Sequence, residues 1–186
     1  VGKRYAQRSM SQTEITTKML HLALEGKTVV RVKGGDPAIC ARVGEECSLL
    51  YQYEVPCCVI PGITAASGAS SYAGIPLTHR GCAQSVRFVS AHMKTESDEP
   101  DWASMVPNSC SKHGETLVFY MGLRRLDLIS QRLLEHGMPE EFPVAVIEQA
   151  THAEQKVCIG DLGSIAARVR AFWITGPAIT IVGEVV

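Results

Sequence analysis

Two short turns in the first third of the chain contain residue types that bring main-chain atoms close to a ligand. The first is Gly34-Gly35-Asp36-Pro37 and the second is Pro61-Gly62-Ile63-Thr64. Because glycine has no Cβ, its N–H and C=O groups can contact a bound molecule directly. The carboxylate of Asp36 can accept hydrogen bonds from hydroxyl or ammonium groups. Taken singly, each turn is also typical of an ordinary chain reversal, so both interpretations stay open at this point.

The common enzyme motifs are absent from the sequence. Gly26-Lys27-Thr28 ends like a phosphate-binding loop, but His21 stands where that motif needs glycine. The sequence contains no G-x-G-x-x-G, G-x-S-x-G or H-E-x-x-H string, which excludes the simplest dinucleotide, α/β-hydrolase and zinc-protease interpretations. The seven cysteines include no C-x-x-C pair, so we expect reduced thiols and no metal.

The composition predicts a globular protein of one domain or two small ones. Of the 186 residues, 46% are hydrophobic and 20% are charged, which excludes a disordered chain. With 18 basic and 19 acidic residues the net charge is −1, which argues against a nucleic-acid partner. No apolar run approaches the roughly 18 residues of a membrane helix. We therefore expect no membrane partner and a cytoplasmic protein, or an organellar one, as in a plastid, if the source is eukaryotic.

Predicted strands and helices alternate along the chain and place the turns at strand ends. Predicted helices run from Ser11 to Gly26, where Ser11-x-x-Glu14 forms a capping box, and over 41–53, 64–73, 126–136 and 162–169. Predicted strands are 28–33, 57–60, 85–90, 116–121, 143–148, 156–159 and 178–182. This alternation predicts an α/β fold with mostly parallel sheets. Ligands then bind beyond strand ends, at 34–37, 61–65, 121–122 and 149–151, and the Gly- and Pro-rich segment 74–84 marks a domain boundary.

Several strings, taken in order, resemble a known family. They are VGKR (1–4), SQTEI (11–15), VVRVKGGDP (29–37), GEE (44–46), PGITAA (61–66), AGIPLTHR (73–80), YMG (120–122) and PAI (177–179). From its first residue to its last, the sequence is similar to the uroporphyrinogen-III C-methyltransferases of the tetrapyrrole methylase superfamily.

The resemblance implies a fold and an activity. The fold is two α/β domains with a ligand cleft between them, and the enzyme is a homodimer. S-adenosylmethionine donates the methyl groups and leaves S-adenosylhomocysteine, and no metal takes part. The substrate, uroporphyrinogen III, is methylated twice to precorrin-2 for sirohaem or cobalamin. Family members have a first strand and a Gly-Pro-Gly-Asp loop before the position of Val1, so residues 1–80 correspond to the remainder of an N-terminal domain and 81–186 to a C-terminal domain.

The same resemblance implies roles for individual residues. Lys3 matches the family's proton donor. The implied cofactor contacts are Gly34, Gly35, Asp36, Ile39, Thr64, Ala65, Met121 and Ala150. Ala150 stands where the family usually has glycine, which weakens binding if that position needs a positive φ. Without the resemblance, Met121 would be interpreted as core packing at a strand end.

Basic residues are candidates for binding the eight carboxylates of the substrate, because arginine can bind a carboxylate through two hydrogen bonds. They are Arg4, His79, Arg80, Arg87, His92, Lys94, Arg124 and Arg125. Two alternative functions stay open: methylation of a later corrin precursor, and a truncated, non-catalytic fragment that dimerises or binds tetrapyrrole without turnover.

Overall fold

The computed structural model describes residues 10–92, 99–106 and 114–186. The chain divides into two compact units, Val1–Thr64 and Ala65–Val186. The predicted domains, 1–80 and 81–186, remain a prediction.

The first unit contains two helices, α1 (Gln12–Leu24) and α2 (Val43–Gln52). The predicted capping box is confirmed: the Ser11 hydroxyl accepts from the Glu14 N–H at 3.2 Å, and the Ser11 N–H donates to the Glu14 carboxylate at 2.6 Å. Two of the four N–H groups that a helix start leaves free are thereby satisfied. Helix α2 begins after Arg42, whose φ of 59° lies in the left-handed region, so it starts two residues later than predicted.

The predicted strands 28–33 and 57–60 are wrong as strands. Within the residues that the structure describes, neither segment belongs to a sheet. Val30 and Val32 are 79% and 78% exposed. β-Branched residues favour an extended backbone, whereas a strand also needs a hydrogen-bonded neighbour, and local sequence does not specify one.

The second unit alternates helices and strands as predicted, with ends within three residues of the expected ones. Its helices are α3 (Ala65–Ala73), α4 (Leu126–Glu135) and α5 (Ile165–Ala171). Its strands are β1 (Ala83–Ser90), β2 (Gly114–Tyr120), β3 (Pro143–Glu148), β4 (Lys156–Asp161) and β5 (Ala178–Val182). The mixed α/β class is thus confirmed.

The five strands form one sheet in the order β1-β2-β5-β3-β4. The prediction of mostly parallel pairing is wrong here, since of the four pairings among the described strands one, β1 with β2, is parallel. The connection through α4 joins β2 to β3, and the connection through α5 joins β4 to β5. In each case the two strands point the same way, as a helical crossover requires. However, β5 lies between β2 and β3, and β3 lies between β5 and β4. The strands joined by a crossover are therefore not neighbours, and the neighbouring pairs β2–β5, β5–β3 and β3–β4 are antiparallel.

One face of this sheet packs against α4 and α5 to form the hydrophobic core of the second unit. Alternate strand residues such as Phe119, Val144 and Val146 are fully buried there, together with Leu133 of α4 and Ile165 of α5. This alternation is the period of two that a strand imposes on its side chains. The core fixes the strand ends and therefore the turns that follow them.

Candidate functional site

In the first unit, the Asp36 side chain joins the two turns that the sequence singled out. One carboxylate oxygen accepts from the Ala38 N–H at 2.7 Å, and the other accepts from the Gly62 N–H at 3.0 Å. The hydrogen bonds from Gly62 and Ala38 hold the pKa of Asp36 below its ordinary value. The charged carboxylate therefore fixes the 61–64 turn beside its own loop.

The approach of these turns depends on glycine. A Cβ at Gly62 would overlap the carbonyl oxygen of Gly35, so no larger residue fits without moving one of the loops. Gly35 itself has a φ of 77°, a left-handed conformation that glycine adopts without strain. A Cβ at Gly34 would meet no atom within 4 Å. The main chain at Gly34 thus borders open space, as a loop that receives a ligand must.

A buried ion pair lies at the base of the same loop. The ammonium group of Lys33 lies 2.8 Å from a carboxylate oxygen of Glu46 on α2 and donates to the carbonyl of Ala41. Sequence reasoning gave neither charged residue a role, although Lys33 lies in the string 29–37 and Glu46 in the string 44–46. Lys33 and Ala41 are the residues on either side of the loop, so this contact closes its two ends.

In the second unit, Tyr120 at the end of β2 contacts the start of α3. Its hydroxyl accepts from the N–H of Ala66 at 3.1 Å, one of the amides that a helix start leaves without an internal partner. Met121 follows with a φ of 58° and is 52% exposed. The interpretation of Met121 as core packing is therefore wrong, and the exposed side chain is available to a ligand.

The turn after β3 carries two non-glycine residues in the left-handed region, Gln149 (φ 47°) and Thr151 (φ 72°). Ala150, between them, does not have a positive φ, so alanine is unstrained there. A Cβ at Gly68 of α3 would lie 3.2 Å from the Thr151 methyl group, which places this turn against α3. Left-handed non-glycine residues persist where surrounding contacts enforce them, often at functional sites.

A buried carboxylate holds the end of β3. One oxygen of Glu148 accepts from the Thr175 N–H at 2.7 Å and from the Gly176 N–H at 2.5 Å, and the other lies 3.3 Å from the Lys156 ammonium. Burial raises the pKa of Glu148, but hydrogen bonds from Gly176 and Thr175 outweigh it, and the pKa lies below its ordinary value. Sequence reasoning missed this residue, because its partners come from a loop 27 and 28 residues away.

Comparison of the chain with protein-family models identifies its family. The family model described as Tetrapyrrole (Corrin/Porphyrin) Methylases matches residues 1–166. The chain belongs to the tetrapyrrole methylase family. The sirohaem synthase of Azotobacter vinelandii is 49% identical over all 186 residues, and the match covers 39% of that protein. The chain thus spans 39% of the length of this curated relative, and the same share of the sirohaem synthase of Hahella chejuensis.

Solved structures of tetrapyrrole methylases share the fold. The uroporphyrin-III C-methyl transferase from Thermus thermophilus, complexed with S-adenyl homocysteine, is 33% identical with a TM-score of 0.79. The match covers 94% of this chain and 74% of the Thermus chain. A cobalt precorrin-4 methyltransferase has a TM-score of 0.80 at 24% identity, over 95% of this chain and 72% of the other. At that identity the likeness is one of fold alone.

The structure places the predicted contact residues of this tetrapyrrole methylase chain in two groups, one in each unit. Gly34, Gly35, Asp36 and Ile39 share one loop of the first unit, in which the Ile39 N–H donates to the Asp36 carbonyl at 3.3 Å. Thr64 follows the turn that Asp36 holds. In the second unit, Ala65 and Met121 each lie one residue from the bond between Tyr120 and Ala66, and the turn containing Ala150 contacts α3. Lys3 lies outside the described residues.

The basic candidates differ in their exposure. Arg87 forms an ion pair with Glu115 at 2.9 Å and donates to the Ser104 hydroxyl, and Arg125 donates to the Ala91 carbonyl. The exposed members of the set are His79, Arg80, His92 and Arg124. Arg4 and Lys94 lie outside the described residues.

In the ranges that the structure describes, no group of three or more His, Cys, Asp or Glu side chains is placed to hold a metal ion. Among the helices of those same ranges, none is both long and apolar enough to cross a membrane.

Proposed function

We propose that this chain catalyses the S-adenosylmethionine-dependent C-methylation of uroporphyrinogen III, adding two methyl groups to give precorrin-2. The observation that carries the proposal is the 33% identity, over 94% of the chain, to a uroporphyrin-III C-methyl transferase whose structure contains S-adenyl homocysteine. The 49% identity to a sirohaem synthase supports the same reaction.

The loops of the first unit fit the cofactor proposal. Gly34 and Gly35 are exposed, so their main-chain groups can contact a ligand without an intervening side chain. The negative charge of Asp36 attracts hydroxyl or ammonium donors. Each of its carboxylate oxygens accepts one main-chain N–H and has a second lone pair with which it can accept from a ligand. Ile39 adds an apolar contact, and Thr64 adds a hydroxyl.

The turns of the second unit supply the remaining proposed contacts, Ala65, Met121 and Ala150. S-adenosylmethionine, when bound, supplies an electrophilic methyl group on a sulfonium. The task of the protein is then mainly to align this group with an electron-rich carbon of the substrate, and such alignment is a large part of many rate enhancements. The turn at Met121 begins after Tyr120, which is bonded to Ala66, and the turn at Ala150 begins after Glu148, which is bonded to Thr175 and Gly176. Turns anchored in this way suit that task better than mobile side chains would.

Substrate binding is assigned to the exposed basic residues His79, Arg80, His92 and Arg124, because the substrate carries eight carboxylates. Lys3 is proposed as the proton donor by its match to the family. We further propose that the chain forms a homodimer and that its domains are residues 1–80 and 81–186. Sedimentation of the purified chain tests the dimer.

Calorimetric titration with S-adenosylhomocysteine tests the cofactor site first. Binding at micromolar strength, about −8 kcal/mol, is the expected result, and a folded chain that releases no heat and shows no binding by a second method contradicts the proposal. Anaerobic incubation with uroporphyrinogen III and S-adenosylmethionine then tests turnover by the appearance of precorrin-2. Binding without turnover favours the non-catalytic fragment. Faster methylation of a later corrin precursor in a competition assay favours the other alternative.

A further inference from the structure

The loop that holds Gly34, Gly35 and Asp36 is closed at its base by one ammonium group. Lys33 immediately precedes the loop, and its Nζ donates to the carbonyl of Ala41, where the loop ends. The same Nζ lies 2.8 Å from Glu46 on α2. A single side chain therefore joins the two ends of the loop and attaches them to a helix.

This ion pair is buried. The side chains of Lys33 and Glu46 are 8% and 3% exposed. Glu46 also accepts from the Gln12 amide at 2.8 Å and lies 3.4 Å from the Arg31 guanidinium. Burial raises the pKa of Glu46, but hydrogen bonds from Lys33 and Gln12 and the two positive charges outweigh it, so its pKa lies below the ordinary value. The carboxylate thus connects α1, Arg31 and the base of the loop as a charged group.

Stability alone does not account for such a pair. Removing two charges from water costs free energy that their attraction often fails to recover, and apolar replacements are frequently as stable. The loop, by contrast, needs external support. Cys40 at the end of the loop and Arg42 just beyond it have φ values of 53° and 59°, conformations that cost non-glycine residues energy and persist only when contacts enforce them.

We propose that Lys33, anchored by Glu46, is a positioning residue that keeps the Gly34–Asp36 loop in its cofactor-binding conformation before the cofactor arrives. The inference rests on the proposed function, because it assigns the loop a cofactor to bind. A preformed loop loses less conformational entropy on binding than a mobile one, so the ion pair acts on affinity. Lys33 itself need not touch the cofactor.

The test removes both charges together. A Lys33→Met, Glu46→Gln variant leaves no uncompensated buried charge of this pair, and it also deletes the hydrogen bond to Ala41. The matched control is Lys27→Met, Glu25→Gln, which deletes a Lys–Glu pair of the same unit whose side chains are 59% and 57% exposed. We expect the first variant to bind S-adenosylhomocysteine about tenfold more weakly than the control, with a similar unfolding temperature.

Hydrogen exchange of a peptide covering residues 33–42 gives a readout that does not depend on the cofactor. We expect about tenfold faster exchange in the first variant than in the control, because the loop opens more often. Parent-like affinity together with parent-like exchange overturns the inference. If the parent itself does not bind S-adenosylhomocysteine, the proposed function fails, and exchange alone decides whether the ion pair holds the loop. Should the double variant not fold, Glu46→Gln alone is measured, and unchanged exchange in that variant overturns the inference.

Discussion

Replacing Gly62 with alanine should separate the two loops of the first unit that carry predicted cofactor contacts. The added methyl group would overlap the carbonyl oxygen of Gly35 and lie 3.5 Å from the Cα of Asp36. Both are backbone atoms, which cannot rotate aside as the tip of a side chain can. One loop must therefore move, and the hydrogen bond from the Gly62 N–H to the Asp36 carboxylate lengthens.

The expected loss of activity in Gly62→Ala follows from how far one loop must move. Restoring an ordinary van der Waals contact needs a shift of about 1 Å. A misplacement of about 1 Å at a reacting or binding group lowers the rate by about 100-fold, which corresponds to about 2.7 kcal/mol. Because Gly62 is exposed, the loss of folding stability should stay near the lower end of overpacking effects, about 1 kcal/mol.

Three glycine-to-alanine variants make the comparison. A Cβ at Gly44, in the first turn of α2, meets nothing within 4 Å, so Gly44→Ala should keep parent-like binding and gain up to about 1 kcal/mol of stability. A Cβ at Gly34 also meets nothing within 4 Å, so Gly34→Ala should leave the fold unchanged and weaken binding only if a ligand occupies that space. For each variant, calorimetry gives the dissociation constant for S-adenosylhomocysteine, anaerobic kinetics give kcat/KM, and thermal unfolding gives stability.

Two results would refute this reasoning. If Gly62→Ala keeps the parent's affinity and kcat/KM, then the close approach of the two loops is irrelevant to the site. If Gly62→Ala and Gly44→Ala lose affinity equally, the cause is a general effect of alanine in this unit and not the overlap with Gly35.

Further expected outcomes concern hydrogen bonds and acid stability. Tyr120→Phe leaves the Ala66 N–H without its partner, so thermal unfolding should show a loss of about 1 kcal/mol, or about 3 °C. Glu148→Gln removes the charge that accepts from Thr175 and should lower the free energy of unfolding in urea by about 2 kcal/mol. The pKa values of Glu46 and Glu148 are lowered in the fold, so their stabilisation is complete above the unfolded value of about 4.3 and is lost as the pH falls through the lower folded values. Urea midpoints measured from neutral pH downward should therefore fall in that acid range, and should fall less in a variant with glutamine at both positions.

Local signals in the sequence were sufficient to locate most helices and strands. Ser11 and Glu14 mark the start of α1 because a capping box acts within one helical turn, and the bounds of β3 and β5 match the prediction. The prediction of a strand at 28–33 was wrong because the hydrogen-bonded neighbour that a strand needs is not specified by the local sequence. The prediction of mostly parallel pairing was wrong for a related reason. The alternation of helices and strands was predicted, but the insertion of β5 between β2 and β3 depends on the whole chain.

The candidate site, too, could be predicted only in part from the sequence. The glycine turns and Asp36 could be found from their residue types and from the family strings. The contacts that fix them could not, because Asp36 reaches Gly62 across 26 residues, and the closure of the loop by Lys33 depends on where α2 packs. Met121 shows the converse: without the resemblance it would be interpreted as core packing at a strand end, but its side chain is 52% exposed and its φ is 58°.

The position of β5 governs how this sheet can assemble. Among the five strands described, β5 comes last along the chain, yet it lies in the middle of the sheet and pairs with β2 on one side and β3 on the other. Pairings between segments so distant in sequence slow folding, because loop closure must precede the contacts that stabilise it. During synthesis, the β1–β2 pair and the β3–β4 hairpin emerge first, each with an unpaired edge that favours misassembly or chaperone binding. A chain cut before Ala178 would therefore lack the strand that joins the β1–β2 pair to the β3–β4 hairpin, and would not be a shortened version of the same sheet.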